Sequence, residues 1–522
     1  MSKFYTSANV VGDNIHLRYI DDDGNDCYNK VDFQPTLFTY TENTTGYTDI
    51  YGKSCLPRNF DSIREMRSYF KENKDIGLEV LGMEDPVLQF LSDKFEGTLE
   101  FKRNNINIYN LDIEVNADIM PSPMNPIWPI DQICVRDKRR DRYVSFSLYE
   151  WDADKSHERV QDIKHLVDHR QFDTEKDLLK AFVGWWRENP PHIITGWNVD
   201  QFDISYMCAR LEKLFSENAY KRLSPFGRVN KRSYRDDFGN DQIGFSIDGV
   251  EVLDYLQLYK KFELSPRPNY KLDTIGEIET GQKKLQYDGK LRDLAKENPQ
   301  LYIDYNIIDT RLVEQIDDKK NMIELAMFVA FHAKVNPSSI FSPVKVWDAT
   351  IFNALKAQKK VIPMNRRGEE HSFEGGYVKE PQKKLNGWVM SFDFTSLYPS
   401  IIRQCNISPE TLIHYDENSP DVDVWVRKEA KPKYPELSAC PNGAYYRKDV
   451  RGVVAEEIEK VFFDRKASKK KAGEYKQKAK DVTGNDKSKL LTRAGMFSVR
   501  EQALKVLINS LKCMGRGLVT AH

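Results

Sequence analysis

The chain has 522 residues and a formal net charge of −1, and 40% of its residues are hydrophobic, 12% aromatic and 30% charged. A chain of this length does not fold around a single hydrophobic core, so we expect roughly three or four domains. The near-neutral charge excludes a protein that binds nucleic acid through its overall charge, although basic residues can still be segregated locally. We predict no membrane span, because the sequence has no run of about 18 apolar residues.

The seven cysteines are scattered without Cys-x-x-Cys pairs. This spacing excludes zinc ribbons and a disulfide framework, and we expect reduced thiols. The opening "MSKFYTSANVV" has neither the basic start nor the apolar region of a secretory signal. We therefore expect a cytoplasmic protein. No internal repeat of solenoid length is present.

In chain order, the first hundred residues combine alternating strands, "NIHLRYI" and "LFTYT", with an amphipathic helix near "FDSIREMRSYFKEN", an α+β pattern. The strand "NINIYNLDIEV" opens an α/β region that reaches about residue 320, and it includes a predicted hairpin, "RSYRDDFGNDQIGF", with Gly and Asn at its turn. A Gly-Gly turn at about 375 precedes a predicted strand, "GWVMSFDF". From 453 onward the pattern is helical and basic.

Carboxylates recur at three places in the α/β region. Asp112 and Glu114 lie two apart on a strand and share one face. Asp203 follows an apolar strand and turn in "IITGWNVDQFDISY", and Tyr305 and Asp309 lie one turn apart on a helix in "DYNIIDTRLV". Four hard oxygen ligands suit two Mg²⁺ or Mn²⁺ ions. Such a pair would activate a water and stabilise the leaving 3′ oxygen of a phosphodiester, with the tyrosine orienting the water.

The order Asp-x-Glu, Asn-xxx-Phe-Asp and Tyr-xxx-Asp resembles the three exonuclease motifs of family B DNA polymerases, with Asn198 and Phe202 completing the second. The resemblance implies a ribonuclease H-like fold and removal of 3′-terminal nucleotides. It assigns catalysis to Asp112, Glu114, Asp203, Tyr305 and Asp309, with the four carboxylates as metal ligands. Segment 233–245 resembles the exonuclease hairpin of the family.

The string "VMSFDFTSLYPSII" predicts a strand that turns into a helix, and such a turn presents backbone N–H groups to an anion. Its core, "DFTSLYPS", resembles motif A of the same family. The resemblance implies a catalytic Asp393 that holds Mg²⁺, metal ligation also at Phe394, and nucleotide binding by Ser396, Leu397 and Tyr398. The ring of Tyr398 would act as a steric gate against ribonucleotides.

Between Arg465 and Arg493 there are eleven Lys or Arg residues against three acids. A solvated helical face is the usual interpretation of such a run. The resemblance instead implies triphosphate binding by Arg465 and Lys469, and it matches Lys505 and Asn509 to the opening of motif B. "FEGGYV" resembles the Tyr-x-Gly-Gly segment of the family, with Phe373 in place of the tyrosine.

Further strings, among them "TGWNV", "YNIIDT" and "SLYPSIIRQ", follow the order of the T-even-like bacteriophage branch of the family, from about residue 1 to 511. The resemblance implies a multidomain α/β and α+β protein with partial palm and fingers. Its expected domains are an N-terminal domain (1–105 and 321–365), an exonuclease domain (106–320), a partial palm (366–451) and partial fingers (452–522). It implies replication of phage DNA in the host cytoplasm, with primer-template, single-stranded DNA and deoxynucleoside triphosphates as partners.

Motif B of the family continues with Tyr-Gly, where this sequence has Lys512 and Cys513. A second metal-binding acid, the thumb and the clamp-binding tail would follow residue 522. Asp421 and Asp423 are rejected as substitutes because they lie in a predicted acidic loop. We expect a complete exonuclease site and no primer extension by this chain alone.

Two alternatives stay open at this point. One is a subunit of a split polymerase that a second chain completes, and the other is a noncatalytic remnant that binds single-stranded DNA.

His165 and His169 are spaced for zinc on a predicted helix, but a solvated face is favoured because no third ligand is in view.

Overall fold

The computed structural model describes residues 3–97, 99–235, 239–263, 265–363, 380, 384–385, 387–392, 394 and 396–510. These residues form two compact units. The first unit contains the described residues up to Pro35 together with Phe60–Met66 and Asp85–Phe341. The second contains Thr36–Asn59, Arg67–Glu84 and the described residues from Ser342 onward. Within these ranges, no helix is both long and apolar enough to cross a membrane.

The first part of the chain confirms the predicted mixture of strands and one amphipathic helix. Its elements are β1 (Phe4–Val11), β2 (Asn14–Ile20), β3 (Asp26–Val31), β4 (Thr36–Tyr40), β5 (Thr48–Asp49), β6 (Cys55–Asn59), α1 (Ile63–Asp75) and α2 (Pro86–Lys94).

An α/β region follows. Its elements are β7 (Ile108–Val115), β8 (Ile130–Asp137), β9 (Arg142–Ser147), α3 (Glu158–Gln161), β10 (Val167–Gln171), α4 (Glu175–Glu188), β11 (Ile193–Thr195), α5 (Ser205–Leu214), α6 (Glu217–Lys221), β12 (Val229–Arg235), β13 (Asp241–Ile247), β14 (Glu251–Val252), α7 (Tyr255–Phe262), α8 (Leu272–Thr280), α9 (Leu291–Glu297) and α10 (Pro299–Lys320).

The remaining elements are mostly helical. They are α11 (Met322–Ala333), α12 (Pro343–Ala357), β15 (Lys360–Val361), α13 (Leu397–Cys405), β16 (Leu412–Tyr415), α14 (Val422–Val426), β17 (Ser438–Ala439), β18 (Ala444–Tyr446), α15 (Val453–Lys478) and α16 (Gly484–Ser510).

A mixed six-stranded sheet forms the centre of the first unit, in the order β10-β9-β8-β7-β11-β14. Strands β7, β8 and β9 pair antiparallel, whereas β10, β11 and β14 join in parallel. Strand β7 therefore has a neighbour on each side. In its register with β8, Asp112 lies opposite Cys134 and Glu114 opposite Gln132.

Residue alternation along β7 gives the strand two different faces. Tyr109, Leu111 and Ile113 pack in a core that includes Trp185 and Trp186 of α4. The intervening residues, among them both acids, therefore lie on the opposite face. Helix α4 covers only the apolar side.

Helix α10 packs on the other face of β7. The side chain of Asn110 on β7 donates from Nδ2 to the carbonyl of Thr310 at 2.5 Å. The helix begins at Pro299, and Asn298 caps it by accepting from the N–H of Leu301. Most of α10 is buried, so its polar residues must find partners inside the protein.

The three-stranded sheet β1-β2-β3 also belongs to the first unit. It packs against α11 through Tyr5, whose hydroxyl donates to the carbonyl of Val335 at 2.8 Å and whose ring lies 5.1 Å from that of Phe331. The predicted hairpin is confirmed as β12 and β13, which pair from Val229 to Arg235, and Gly239 in the turn has φ +82°.

In the second unit, α15 and α16 form a helical pair that confirms the helical prediction for 453–510. The rings of Tyr475 and Phe497 stack between them at 5.6 Å. The buried Trp347 of α12 donates from Nε1 to the carbonyl of Leu507 at 3.2 Å and lies 3.1 Å from Oγ of Ser510. The end of α16 is thus anchored by a buried indole.

The predicted strand "GWVMSFDF" is wrong for its described residues. Residues 387–392 and 394 pair with no described strand, and Trp388 is 99% exposed. An apolar run forms a strand only where a neighbouring strand satisfies its backbone and a core covers one face. Among the described residues, this run has neither a pairing strand nor a core that covers one of its faces.

The prediction of one helix through His165 and His169 is also wrong. His165 lies in a single 3₁₀ turn, Lys164–Leu166, and His169 lies on β10, which pairs with β9. The ring nitrogens of His169 lie 3.2 Å from Oγ of Ser145 and 3.0 Å from the carbonyl of Tyr149. This histidine is held by the protein and does not lie on a solvated helical face.

The predicted loop around Asp421 and Asp423 contains the short helix α14. Asp421 caps it, because its Oδ1 accepts from the N–H of Asp423 at 2.9 Å. The loop prediction was wrong because the capping role of an aspartate was overlooked.

Candidate active site

Three acids meet in the space between β7 and α10. One oxygen each from Asp112, Glu114 and Asp309 lies within 4.8 Å of the other two. Glu114 and Asp309 are buried and Asp112 is half-buried. The strand supplies two carboxylates on one face, and the helix supplies the third. The sequence pattern predicted this meeting, and the structure brings the three side chains together.

Asp203 approaches the same place from a π-helical turn, Asp200–Ile204. Its Oδ1 accepts from the N–H of Ile113, between the two acids of β7, at 2.9 Å. The preceding strand can come this close to β7 only because residue 196 is glycine: a Cβ there would lie 2.4 Å from the carbonyl oxygen of Leu111. Turns of this π-helical kind are frequent at functional sites.

Lys284 supplies a positive charge to the acids. Its Nζ lies 2.6 Å from Oδ2 of Asp309, and the two side chains are 30% and 3% exposed. The ammonium also lies 4.8 Å from the ring centroid of Tyr305, on the preceding turn of α10. The ring of Tyr287 packs edge-on against that of Tyr305, with 5.5 Å between the ring centroids. Tyr305 is therefore fixed beside the acids.

Burial strongly perturbs the charges of the site. It raises the pKa of Asp112 to about 7, and the carboxylate of Asp309 adds to this rise. Burial, with Asp112 as the second cause, raises the pKa of Glu114 and of Asp203 well above the usual range. Burial lowers the pKa of Lys284, but the surrounding carboxylates, Asp309 first, raise it by more. The acids outnumber the cation that faces them.

The donor set fits a divalent metal ion. The Oδ1 atom of Asp309 is buried and has no hydrogen-bond partner among the described atoms. Buried polar atoms are normally paired, so a carboxylate oxygen that no described atom contacts, beside two further acids, is available as a metal ligand. Hard oxygen donors are those that Mg²⁺ and Mn²⁺ prefer.

Two buried residues of α10 donate hydrogen bonds to aspartates at or near the site. Asn306 of α10 donates from Nδ2 to Oδ2 of Asp112 at 2.5 Å. The hydroxyl of Tyr302 donates to Oδ1 of Asp131 at 2.6 Å, and burial raises the pKa of Asp131 to about 6. The negative charge of Asp131 also acts on Glu114. The hydrogen bond from Asn306 fixes the rotamer of one predicted ligand.

The second predicted constellation lies in the second unit. Arg465 on α15 donates from Nε to Glu501 of α16 at 2.8 Å and from Nη1 to Oγ of Ser396 at 3.2 Å. The structure thus brings together two of the predicted nucleotide-binding residues. Asp393 lies outside the described residues, and the neighbouring side chain of Phe394 is 75% exposed.

The other predicted nucleotide-binding residues are exposed or half-exposed. Leu397 and Tyr398 begin α13 with side chains 45% and 50% exposed. Lys469 lies one turn beyond Arg465 on α15. On α16, Lys505 lies one turn beyond Glu501, which accepts from Arg465. Asn509 is exposed near the end of the same helix. In this structure the guanidinium of Arg465 contacts protein acceptors, which a phosphate would have to replace.

Sequence reasoning missed Lys284 and Asn306. Asn306 follows Tyr305 directly, so the tyrosine motif pointed to its helix but not to its contact. Lys284 is one of two adjacent lysines, and no local pattern separates it from Lys283. Its position follows from the packing of the segment after α8 against α10.

Comparison with known proteins agrees with this geometry. Residues 63–275 match the family profile described as DNA polymerase family B, exonuclease domain, and residues 345–512 match the profile described as DNA polymerase family B. The chain contains an exonuclease domain and a polymerase domain of the DNA polymerase family B. Domains of this family normally use divalent metals. The first match includes Asp112, Glu114 and Asp203.

Two similar relatives come from bacteriophages, and both are named DNA-directed DNA polymerase. The relative from Enterobacteria phage T4 is 40% identical over 487 residues, and that from Escherichia phage RB69 is 41% identical over 488 residues. Each alignment covers 90% of this chain and 54% of the relative. DNA polymerase 1 of Pyrococcus abyssi is 26% identical over 346 residues, which are 65% of this chain and 40% of that protein. The chain thus spans about half the length of its phage relatives.

Proposed function

We propose that the first unit is a 3′→5′ exonuclease that hydrolyses the terminal phosphodiester of single-stranded DNA. The observation that carries the proposal is the meeting of Asp112, Glu114 and Asp309, with an oxygen on the last that has no hydrogen-bond partner among the described residues. The mixed sheet, with acids on its central strand, supports the ribonuclease H-like fold that the sequence motifs imply.

Asp112, Glu114, Asp203 and Asp309 would hold the divalent ions, which supply Lewis acidity to the scissile phosphate and lower the pKa of a water. Tyr305 would orient the nucleophile, since its hydroxyl can both donate and accept. The ring is already fixed by its aromatic neighbour, so little conformational freedom is lost when substrate binds. Asn306 would act as a positioning residue through Asp112.

Lys284 has a separate role in this proposal. Its ammonium reduces the repulsion among the carboxylates and keeps Asp309 within reach of the two acids of β7. Because the side chain is 30% exposed, it can also meet the phosphate of an incoming strand. The same charge would then serve folding and substrate binding.

The test is digestion of a single-stranded oligonucleotide with Mg²⁺ by wild type and by the double variant Asp112→Ala/Glu114→Ala. We expect the rate to fall by about 10³-fold or more, because metal sites supply several kcal/mol to such reactions. The matched control is Asp22→Ala/Asp23→Ala, which removes two exposed acids from the turn between β2 and β3. Wild-type digestion by the active-site variant would contradict the proposal.

We also propose that the second unit binds a deoxynucleoside triphosphate as part of a phage replicative DNA polymerase. The contact of Arg465 with Ser396 supports it, because it joins the fingers helix to the start of α13. Arg465→Ala is expected to weaken dATP binding about tenfold, since guanidinium–phosphate hydrogen bonds are strong. The control is Arg493→Ala, which removes an exposed cation from α16, and equal binding by both variants would contradict the role.

The whole polymerase is proposed to act on primer-template DNA in the host cytoplasm. The alternative of a split polymerase completed by a second chain has a direct test, which is primer extension by this chain alone and by a mixture of the two chains.

A further inference from the structure

A groove on the surface of the first unit lies between α4 and the pair α5 and α6. It has a volume of about 350 Å³. Its floor is apolar, and its rim carries three cations. The floor residues are Leu179, Val183, Leu211, Phe215 and Ala219, and the rim cations are Lys180, Arg187 and Arg222.

The groove is separate from the carboxylate site. Trp185 and Trp186 of α4 pack on Tyr109, Leu111 and Ile113, on the face of β7 opposite to its acids. The groove lies on the outer side of that helix, so the sheet separates the two places. Nothing in the proposed hydrolysis requires it.

Gly184 lies in the middle of α4 and lines the groove. Glycine in a helix interior is destabilising relative to alanine. A glycine there is normally explained by neighbouring atoms of the protein that leave no room for a side chain. That explanation does not apply here, because a Cβ at this position would meet no atom within 4 Å. The missing side chain leaves room over the apolar floor for something outside this unit.

The charged rim also lacks internal partners. Arg187 and Arg222 form no ion pair or hydrogen bond with the side chains that the structure describes, and Lys180 has only an exposed contact of 3.5 Å with Asp177. Phe215 is 37% exposed at the floor. Three cations around an apolar strip match a ligand with apolar anchors and flanking carboxylates.

We propose that this groove docks an acidic amphipathic helix of a partner protein. A helix of that kind places apolar residues three and four apart into a groove and presents its charged residues to the rim. Single-stranded DNA is the weaker candidate, because strand-binding grooves use several stacking rings and this floor offers one aromatic ring among aliphatic side chains. The glycine allows close approach of the helix backbone.

The test uses a displayed library of 16-residue peptides selected on the wild-type chain and counter-selected on Gly184→Leu, which fills the groove with a good helix former. We expect enriched peptides with Leu or Phe at helical spacing flanked by Asp or Glu. Fluorescence anisotropy should show that Gly184→Leu and Arg187→Glu each weaken their binding about tenfold or more. Lys296→Glu makes the same charge change on an exposed helix position outside the groove and should leave binding unchanged.

Both groove variants should digest single-stranded DNA at the wild-type rate, which shows that they are folded and separates this inference from the exonuclease proposal. Three results would overturn the inference. The selected peptides could bind Gly184→Leu as well as wild type, or they could be basic. Oligo(dT) could also displace the peptide from wild type and bind the Gly184→Leu variant more weakly. A concentration-dependent dimer that the leucine variant abolishes would assign the groove to a second copy and would likewise overturn it.

Discussion

Replacing Lys284 by methionine removes the ammonium at the carboxylate cluster while keeping a side chain of similar length. Removing one partner of a buried ion pair costs about 3–5 kcal/mol. The lysine side chain is 30% exposed, and the acids that remain can take up a proton, so we expect about 2–3 kcal/mol in the absence of metal. At about 2 °C per kcal/mol for a unit of this size, the melting temperature should fall by about 4–6 °C.

The assay is thermal unfolding of Lys284→Met and wild type, first in EDTA and then with saturating Mn²⁺. The variant should gain more from Mn²⁺ than wild type does, because the ion supplies the positive charge that the variant lacks. The matched control is Lys283→Met. Lys283 lies 3.1 Å from Glu277 in a pair whose side chains are 50% and 54% exposed, and exposed pairs contribute about 0–1 kcal/mol.

Two results would refute this reasoning. If Lys284→Met has the same melting temperature as wild type in EDTA, the lysine does not offset the repulsion among the carboxylates. If the gap between the two proteins is the same in EDTA and in Mn²⁺, the ion does not bind at the acids.

Gly196→Ala should lower the unfolding free energy by more than about 1 kcal/mol and slow DNA digestion, because its Cβ would push against β7 and displace Asp203. Equal stability of the two proteins in urea unfolding would contradict the close approach. Burial, then Arg18, lowers the pKa of His192 to about 4. The unfolded state therefore takes up this proton first, so stability falls as pH drops from about 6.5 to 4, by about 3 kcal/mol, and His192→Gln should remove that slope in urea unfolding at several pH values. Trp347→Phe should lower the unfolding free energy by about 1 kcal/mol, because the hydrogen bond to the end of α16 is lost, and unchanged melting of the second unit would contradict this.

Much of the candidate exonuclease site was predictable because its residues lie on elements with clear periodicity. The alternation in "IYNLDIEV" predicts a strand with both acids on one face, and the spacing of Tyr305 and Asp309 predicts one helix face. Both were found as β7 and α10. Chain order and motif then pointed to one meeting place.

What could not be predicted depends on contacts distant in the sequence. Lys284 has no local pattern that distinguishes it from Lys283, and only the packed structure shows which of the two faces Asp309. His169 was placed on a helix because a spacing of four fits one, whereas pairing with β9 makes its segment a strand. The apolar string around Trp388 likewise predicts a strand that no described neighbour pairs with.

The groove on α4 had no sequence signal. Gly184 is one glycine within an amphipathic helix, and a single glycine there is tolerated without any functional reason. Its meaning depends on the empty space around it, which only the packing of α5 and α6 defines.

We propose that Asp112, Glu114, Asp203 and Asp309 form a metal-dependent 3′→5′ exonuclease site. Its most direct test is a time course on a 5′-labelled single strand with Mg²⁺, with products identified by gel and mass spectrometry. We predict a ladder that shortens one nucleotide at a time from the 3′ end and releases mononucleotides, and that stops in EDTA and in Asp112→Ala/Glu114→Ala. A ladder of the same rate in that double variant, or cleavage within the strand, would contradict it.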